Sequence, residues 1–343
     1  MLMDERKQKV LMAVIRDYIT TAEPVGSRTI SRKYNLGVSP ATIRNEMADL
    51  EDLGFIEQPY TSAGRVPSDK GYRYYVDFLM EKLRLGLEDK ELIRHRYRRK
   101  MSEIEEIIRV TGELFTSLTD YASIILGPQY NQSTIRYVEV KRVDDARALL
   151  LVVTDTGIVE HRLVDISESV TSNDLVLVSE VLCEGLRGMT LDNVTKTVLD
   201  EIYHELRKQG PLLDNILELI QEVLSNKKGS KIYLDGTLNI LKQPEFKNIE
   251  KLHSLLSFLE EETIVKDLIN QPVPQGLAVK IGCENEYEGI HDCSLITATY
   301  SLDGKVVGSV GVLGPTRMEY SRVVSLMEFI TETLSETITK YCV

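Results

Sequence analysis

No stretch of this sequence approaches the length of a membrane span. The longest apolar run, ALLLVV at Ala148 to Val153, has the length of a buried strand. The N-terminal MLMDERKQKV is charged from Asp4 onward and has no apolar core of the signal-peptide kind, so a cytoplasmic protein without membrane contact is expected. Cysteine is scarce and scattered: Cys183, Cys283, Cys293 and Cys342 in 343 residues do not read as a disulfide framework. Cys283, His291, Asp292 and Cys293 fall close together, but there is no CxxC and no HxxxH, so no metal is expected. No GxSxG is present and the five histidines, His95, His161, His204, His253 and His291, are dispersed, which leaves a hydrolytic triad unsupported. The glycines of GSVGVLGP match neither GxGxxG nor GxxxxGK[ST] and read as strand and turn glycines. Catalytic residues and cofactors are therefore not expected, and the chain does not read as an enzyme.

The net charge is −12, an apparent obstacle to nucleic-acid binding. Its distribution removes the obstacle. Residues 1–80 contain 11 Lys and Arg against 11 Asp and Glu, so the remaining 263 residues carry the whole deficit. A neutral N-terminal segment with clustered Arg and Lys can meet DNA, while an acidic body discourages non-specific phosphate binding elsewhere.

Within that segment, Val10, Leu11, Val14, Ile15, Tyr18 and Ile19 make one apolar stripe and predict a helix over 4–19. TAEPVGS breaks it, and Ser27 is placed to cap a second helix, RTISRKY. Ser39 is expected to cap a third, with Pro40 at its first position and Gly54 past its end. Three helices, the last two joined by a tight turn, are a helix-turn-helix arrangement. On the third helix Ile43, Met47 and Leu50 form the buried stripe, Ala41 and Asn45 point away from it, and Thr42 and Arg44 flank them. Small, hydrogen-bonding and basic groups thus lie in the first two turns, where a recognition helix enters the major groove. The acids Asp49, Glu51 and Asp52 collect at the other end, against the helix dipole, so some purpose other than helix stability is expected for them.

Phe55 to Gln58 reads as a short strand, TSAGR as turn chemistry and Val66-Pro67 as the return. A hairpin directly after a recognition helix is the wing of a winged helix, with Arg65 at its tip placed to reach the phosphate backbone or a minor groove, and Lys70 and Arg73 following within one helical turn of each other. In GYRYYVDFL, Tyr72, Tyr75 and Leu79 fit a packed helical stripe better than a base-stacking platform. A small helical bundle with a solvated charged face would share much of this pattern, because the arrangement occurs outside DNA-binding proteins.

Residues 81–119 read as helical, with a basic run RHRYRRK that fits a solvated connector. Strands IRYVEVKRV, ARALLLVVTDTG and IVEHRLVD follow, with turns suited to antiparallel hairpins. Helices are predicted for NDLVLVSEVLCEGLRG, VTKTVLDEIYHELRKQ and LLDNILELIQEVLSN, then strands for KIYLDG and TLNILKQ and a helix from Pro244 to Glu261. Strands return at LAVKIG, DCSLITATYSLDG and KVVGSVGVLGP, and a helix closes the chain over 316–340. Strands, helices and strands again predict an α+β domain with an insertion.

PVGSRTIS, SPATIRNEMADLEDLGFIEQPYTSAGRVPS, KGYRYYVD and VGSVGVLGPTRMEY closely resemble the corresponding stretches of the HrcA family, bacterial heat-inducible transcription repressors. The resemblance is dense over 20–77, returns at 307–320, and runs more loosely between. It implies an α+β fold with an N-terminal winged helix-turn-helix, a GAF-like α+β domain and an inserted α/β dimerisation domain. The corresponding boundaries are 1–80, then 81–168 with 272–343 (including a connector helix at 81–119), and 169–271. It implies repression of chaperone operons by a homodimer on the double-stranded inverted-repeat operator CIRCE, inactivation by heat, and help from the GroE chaperonin. The residues placed for DNA are Ser27, Arg28, Thr29, Ser39, Ala41, Thr42, Arg44, Asn45, Arg65 and Lys70. A winged-helix regulator sensing a metabolite or metal, and a chaperone-binding scaffold, are the alternatives.

Overall fold

The computed structural model describes residues 3–61, 63–98, 103–128, 133–155, 159–190, 193–194, 196–207, 231–271 and 276–342. The chain forms two compact units. One comprises 1–127, 232–301 and 308–335; the other comprises 128–231, 302–307 and 336–343.

The first unit begins with α1 (Glu5–Thr21), whose Val10, Leu11, Val14 and Ile15 are fully buried. In α2 (Ser27–Lys33) Gly26 occupies the cap position without a side-chain hydrogen bond. Ser27 is thus the first helical residue and not the expected cap. In α3 (Pro40–Asp52) Ser39 does cap: its Oγ accepts from the Thr42 N–H at 3.1 Å, worth about 1 kcal/mol. Past its end, Gly54 N–H bonds to Glu51 O at 2.8 Å and Phe55 N–H to Leu50 O at 2.9 Å, a Schellman closure. β1 (Ile56–Glu57) and β2 (Val66–Pro67) form a two-residue antiparallel ladder. α4 (Asp69–Tyr74) runs into a π-helical turn, Tyr75–Leu79. Tyr72 and Tyr75 are buried, as core packing requires. The expected connector is two helices, α5 (Leu87–Tyr97) and α6 (Ile104–Thr119), with residues 81–86 non-helical. The buried Tyr97 hydroxyl lies 2.7 Å from Thr111 Oγ1 and ties the pair together. β3 (Ala122–Leu126) follows, buried on both faces.

The second unit holds an antiparallel meander of β4 (Ile135–Arg142), β5 (Arg147–Thr154) and β6 (Val159–Asp165). Alternation gives it one apolar inner face: Val138, Val140, Ala148, Leu150, Val152 and Val164 are buried. They pack on Leu175, Val178, Leu182 and Leu186 of α7 (Ser172–Leu186) and Ile202 of α8 (Lys196–Arg207). The outer edge of β4 is bonded within the unit. Val140 N–H donates to Ser179 Oγ, which donates back to Val140 O, and Ile135 exchanges bonds with Met189 O and Gly188 N–H. β6 forms the other edge of the sheet.

The strands therefore differ from the expected division at 168 and 169. They share a core with α7 and α8, because their inner face matches those helices and not the other sheet. The predicted helix LLDNILELIQEVLSN, together with Arg99 and Lys100 of the basic run, lies outside the described residues.

The first unit resumes at β7 (Ile232–Asp235), which pairs with β3, Ile124 opposite Leu234. TLNILKQ, expected as a strand, instead forms α9 (Thr237–Ile240). Local bonds such as Asn239 N–H to Gly236 O satisfy its backbone, and it buries Ile240 alone of its three aliphatics. A 3-10 turn at Pro244–Lys247 precedes α10 (Ile249–Glu260), and a further helix, α11 (Glu262–Ile269), extends the expected one. β8 (Leu277–Ile281), β9 (Cys293–Leu302) and β10 (Lys305–Pro315) complete a sheet of order β7-β3-β10-β9-β8. Residues 232–269, expected in the insertion, thus build this sheet and its covering helices. Ala122, Ile124, Leu126, Leu295 and Leu313 pack on Phe258, Leu259 and Leu268. α12 (Tyr320–Cys342) closes the chain. No described helix is long and apolar enough to cross a membrane.

Candidate nucleic-acid interface

α3 presents two opposite surfaces. Ile43, Met47 and Leu50 face the core of the three N-terminal helices. Ala41, Arg44 and Asn45 are exposed in the first turns, and among the described residues Arg44 and Asn45 have no hydrogen-bond or ion-pair partner. Thr42 is half-buried, its Oγ1 3.0 Å from Ser39 Oγ. Arg28 is exposed at the start of α2, between half-buried Ser27 and Thr29. This set offers unspent donors and a guanidinium beside two helix N-termini, where partial positive charge favours phosphate.

Two expected contacts are spent elsewhere. Arg65 is not at the hairpin tip. Its Nε and Nη2 both donate to Glu51 Oε2, at 2.8 and 2.7 Å, tying the hairpin to α3. Its backbone exchanges hydrogen bonds with Val25, N–H to O at 2.9 Å and O from N–H at 2.8 Å. Gly64 permits that approach, since a Cβ there would sit 2.5 Å from Val25 O. The GR of TSAGR and the PVG of TAEPVGS are thus halves of one backbone contact. Lys70 Nζ donates to Leu53 O at 2.8 Å and lies 4.7 Å from the Phe55 ring centroid, at the C-terminal end of α3. That end is about 18 Å along the helix from Ala41.

Two of the three acids at that end, Glu51 and Asp49, have their explanation. Glu51 holds Arg65, and Asp49 holds Lys7 at 2.9 Å. Lys7 also pairs with Glu46 at 3.0 Å, and Arg6 with Glu46 at 3.5 Å. Hydrogen bonds donated to Asp49 and then to Glu46 raise the Lys7 pKa above its ordinary value. Glu46 is buried on the face of Ile43, Met47 and Leu50. A carboxylate on an apolar stripe is the sequence signal for an ion pair at the edge of the core, invisible when the stripe is counted by its hydrocarbons alone.

The residues weighed for a metal do not converge. Cys293 is buried and Cys283 exposed, His291 Nε2 contacts Asn285 O at 3.1 Å, and Asp292 pairs with Lys251 at 2.6 Å. Among the described residues no group of three His, Cys, Asp or Glu side chains could hold a metal ion.

The sequence matches the family model of the HrcA protein C-terminal domain over residues 105–324. It is 50% identical over 337 residues to a heat-inducible transcription repressor HrcA of Pelotomaculum thermopropionicum, covering 98% of this chain and 97% of that one. A heat-inducible transcription repressor HrcA of Moorella thermoacetica is 50% identical over 339 residues, covering 98% of each chain. A solved structure described as a hypothetical protein at 2.2 Å resolution superposes with a TM-score of 0.65 at 25% identity, covering 99% of both chains. The family model and these full-length relatives define a transcription repressor, not an enzyme. The expectation raised by the N-terminal motifs holds: the chain belongs to the HrcA family.

Proposed function

We propose that residues 1–80 are a winged helix-turn-helix that reads an inverted-repeat operator of the CIRCE kind. The observation carrying this is the exposed, unpartnered Arg44 and Asn45 on the capped N-terminal turns of α3. Asn suits adenine and Arg suits guanine in the major groove. Arg28, with Ser27 and Thr29, supplies phosphate contacts from α2, and Ser39, Ala41 and Thr42 line the entry. Arg65 and Lys70 serve by holding the hairpin and the helix end.

The repressor acts as a homodimer in the cytoplasm, because one short helix reads few base pairs and two on one body combine their binding energies. The outer face of the β4–β6 meander supports the dimer. Tyr137, Val159 and Leu163 stand about half exposed on it, around Leu149, Leu151 and Val153, and a solvent-facing apolar patch of that kind marks an interaction surface. The five-stranded sheet with its helices is the GAF-like domain. Heat releases repression by loosening the dimer or its packing on the DNA-reading helices, and the GroE chaperonin restores the active form.

Fluorescence anisotropy of inverted-repeat and scrambled duplexes tests the reading. Strong preference for the repeat is expected. Equal binding to both by a folded dimer overturns it in favour of a scaffold, and a ligand-induced rise in Tm points to a metabolite sensor.

A further inference from the structure

We propose that Asp69 and Arg73 of α4, with Gly282 and Glu284 after β8, form a latch that fixes the angle of the DNA-reading helices on the five-stranded sheet. Through it they set the half-site spacing the repressor accepts. The inference rests on the DNA reading above.

Arg73 Nε donates to Glu284 Oε1 at 2.8 Å and Nη2 to Glu284 Oε2, a two-pronged grip. Nη2 also reaches Val279 O at 2.6 Å, and Nη1 reaches Asp77 at 3.1 Å, so the guanidinium is engaged on every side. Glu284 is itself held, accepting from Ile281 N–H at 2.9 Å. One turn earlier, Asp69 Oδ2 accepts from Cys283 N–H at 2.9 Å. The adjoining Gly282 has φ +52°, and a Cβ on it would lie 2.0 Å from Asp69 Oδ2. The carboxylate occupies the space that a side chain would take.

These partners are more than 200 residues apart in sequence. The buried residues of the N-terminal helices and hairpin, Val10, Leu11, Val14, Ile15, Ile30, Ile43, Leu50 and Ile56, do not include the latch residues. Arg73 and Glu284 are about one-third exposed, so the pair adds little stability. What a forked guanidinium–carboxylate contact adds is direction. Tyr72, between the two latch residues, lays its ring 5.7 Å from that of Tyr320 and gives the joint an apolar pivot. An inverted repeat demands a defined distance between two recognition helices. A latch at the root of each reading head sets that distance without touching DNA, which makes these positioning residues.

The test uses the full chain and Arg73→Ala, Glu284→Gln and Gly282→Ala variants. Affinity is measured for an inverted repeat of native spacing, for repeats with the spacer changed by one or two base pairs, and for a single half-site. Tryptic cleavage at Lys82 and Arg84, both exposed in the non-helical 81–86 segment, is followed in parallel without DNA. Arg73→Ala and Glu284→Gln are expected to keep wild-type Tm, Gly282→Ala to lower it through its φ of +52° and the clash with Asp69, and all three to keep half-site affinity. They should lose about tenfold on the native repeat as the second head's effective concentration falls, bind all spacings within about twofold, and be cleaved faster. Wild-type spacing preference and wild-type cleavage in Arg73→Ala and Glu284→Gln overturn the latch. If the wild type shows no preference for the repeat, the DNA reading fails, and the cleavage rates still decide whether the latch holds the head.

Discussion

Replacing Arg65 by Ala separates two roles that are easily confused. In the structure both donors of its guanidinium fork rest on one oxygen of Glu51. The side chains are 22% and 32% exposed, so solvent screens the pair and its loss costs about 0.5–1 kcal/mol of stability. The effect on DNA is larger in kind. Glu51, freed of its cation, presents a bare carboxylate on the reading helix. At about 10 Å from a phosphate in water that repulsion is about 0.4 kcal/mol per phosphate. Two or three such phosphates lower affinity by about four- to eightfold, equally for operator and scrambled duplex. Because Arg65 displaces no counterion, the slope of log affinity against log salt stays at the wild-type value. Glu51→Ala in the same chain restores affinity, and Glu51→Ala alone raises it for every duplex. Anisotropy from about 50 to 200 mM salt measures both quantities. A slope shallower by about one unit in Arg65→Ala, without rescue by Glu51→Ala, would show that Arg65 leaves Glu51 for a phosphate and would refute the reasoning.

Asn45→Ala or Arg44→Ala is expected to cost about 1–3 kcal/mol on the operator and to relax discrimination at one base pair, seen by binding to operators substituted base by base; uniform loss across sequences would reassign the residue to phosphate. Leu163→Glu places a charge on the outer face of the meander and is expected to yield monomers by sedimentation while leaving half-site affinity intact. Stability should fall as pH rises past about 10. Burial raises the pKa of Tyr97 and Tyr320 in the folded chain, and that of Tyr233 to about 12. Each tyrosine is neutral in both states below the unfolded value, and above it the unfolded chain alone ionises, drawing the equilibrium toward unfolding. Phenolate absorbance at alkaline pH should therefore appear for these residues together with loss of circular dichroism. Full ionisation in a folded chain near pH 10 would contradict it.

The N-terminal 80 residues were legible because their signals are local. Ser39, Pro40 and Gly54 punctuate α3, and Ile43, Met47 and Leu50 declare its buried face within two turns. What the sequence hid was pairing over distance. Arg65 looked free because Glu51 is fourteen residues away across a turn, and the use of Asp49 depends on Lys7 at the far end of another helix. The same limit explains the domain boundaries. The alternation in β4, β5 and β6 predicts one buried face but not which helices cover it. TLNILKQ has a strand's composition and becomes a helical turn once β7 has taken the edge of β3.

The β4 edge of the meander also bears on edge-to-edge pairing between chains. Ser179, Gly188 and Met189 consume the outward hydrogen-bonding groups of Val140 and Ile135, so at those two residues β4 offers nothing to a foreign strand. A strand edge whose groups are spent inside its own unit is a poorer template for a neighbouring chain, an advantage in a protein exposed to heat.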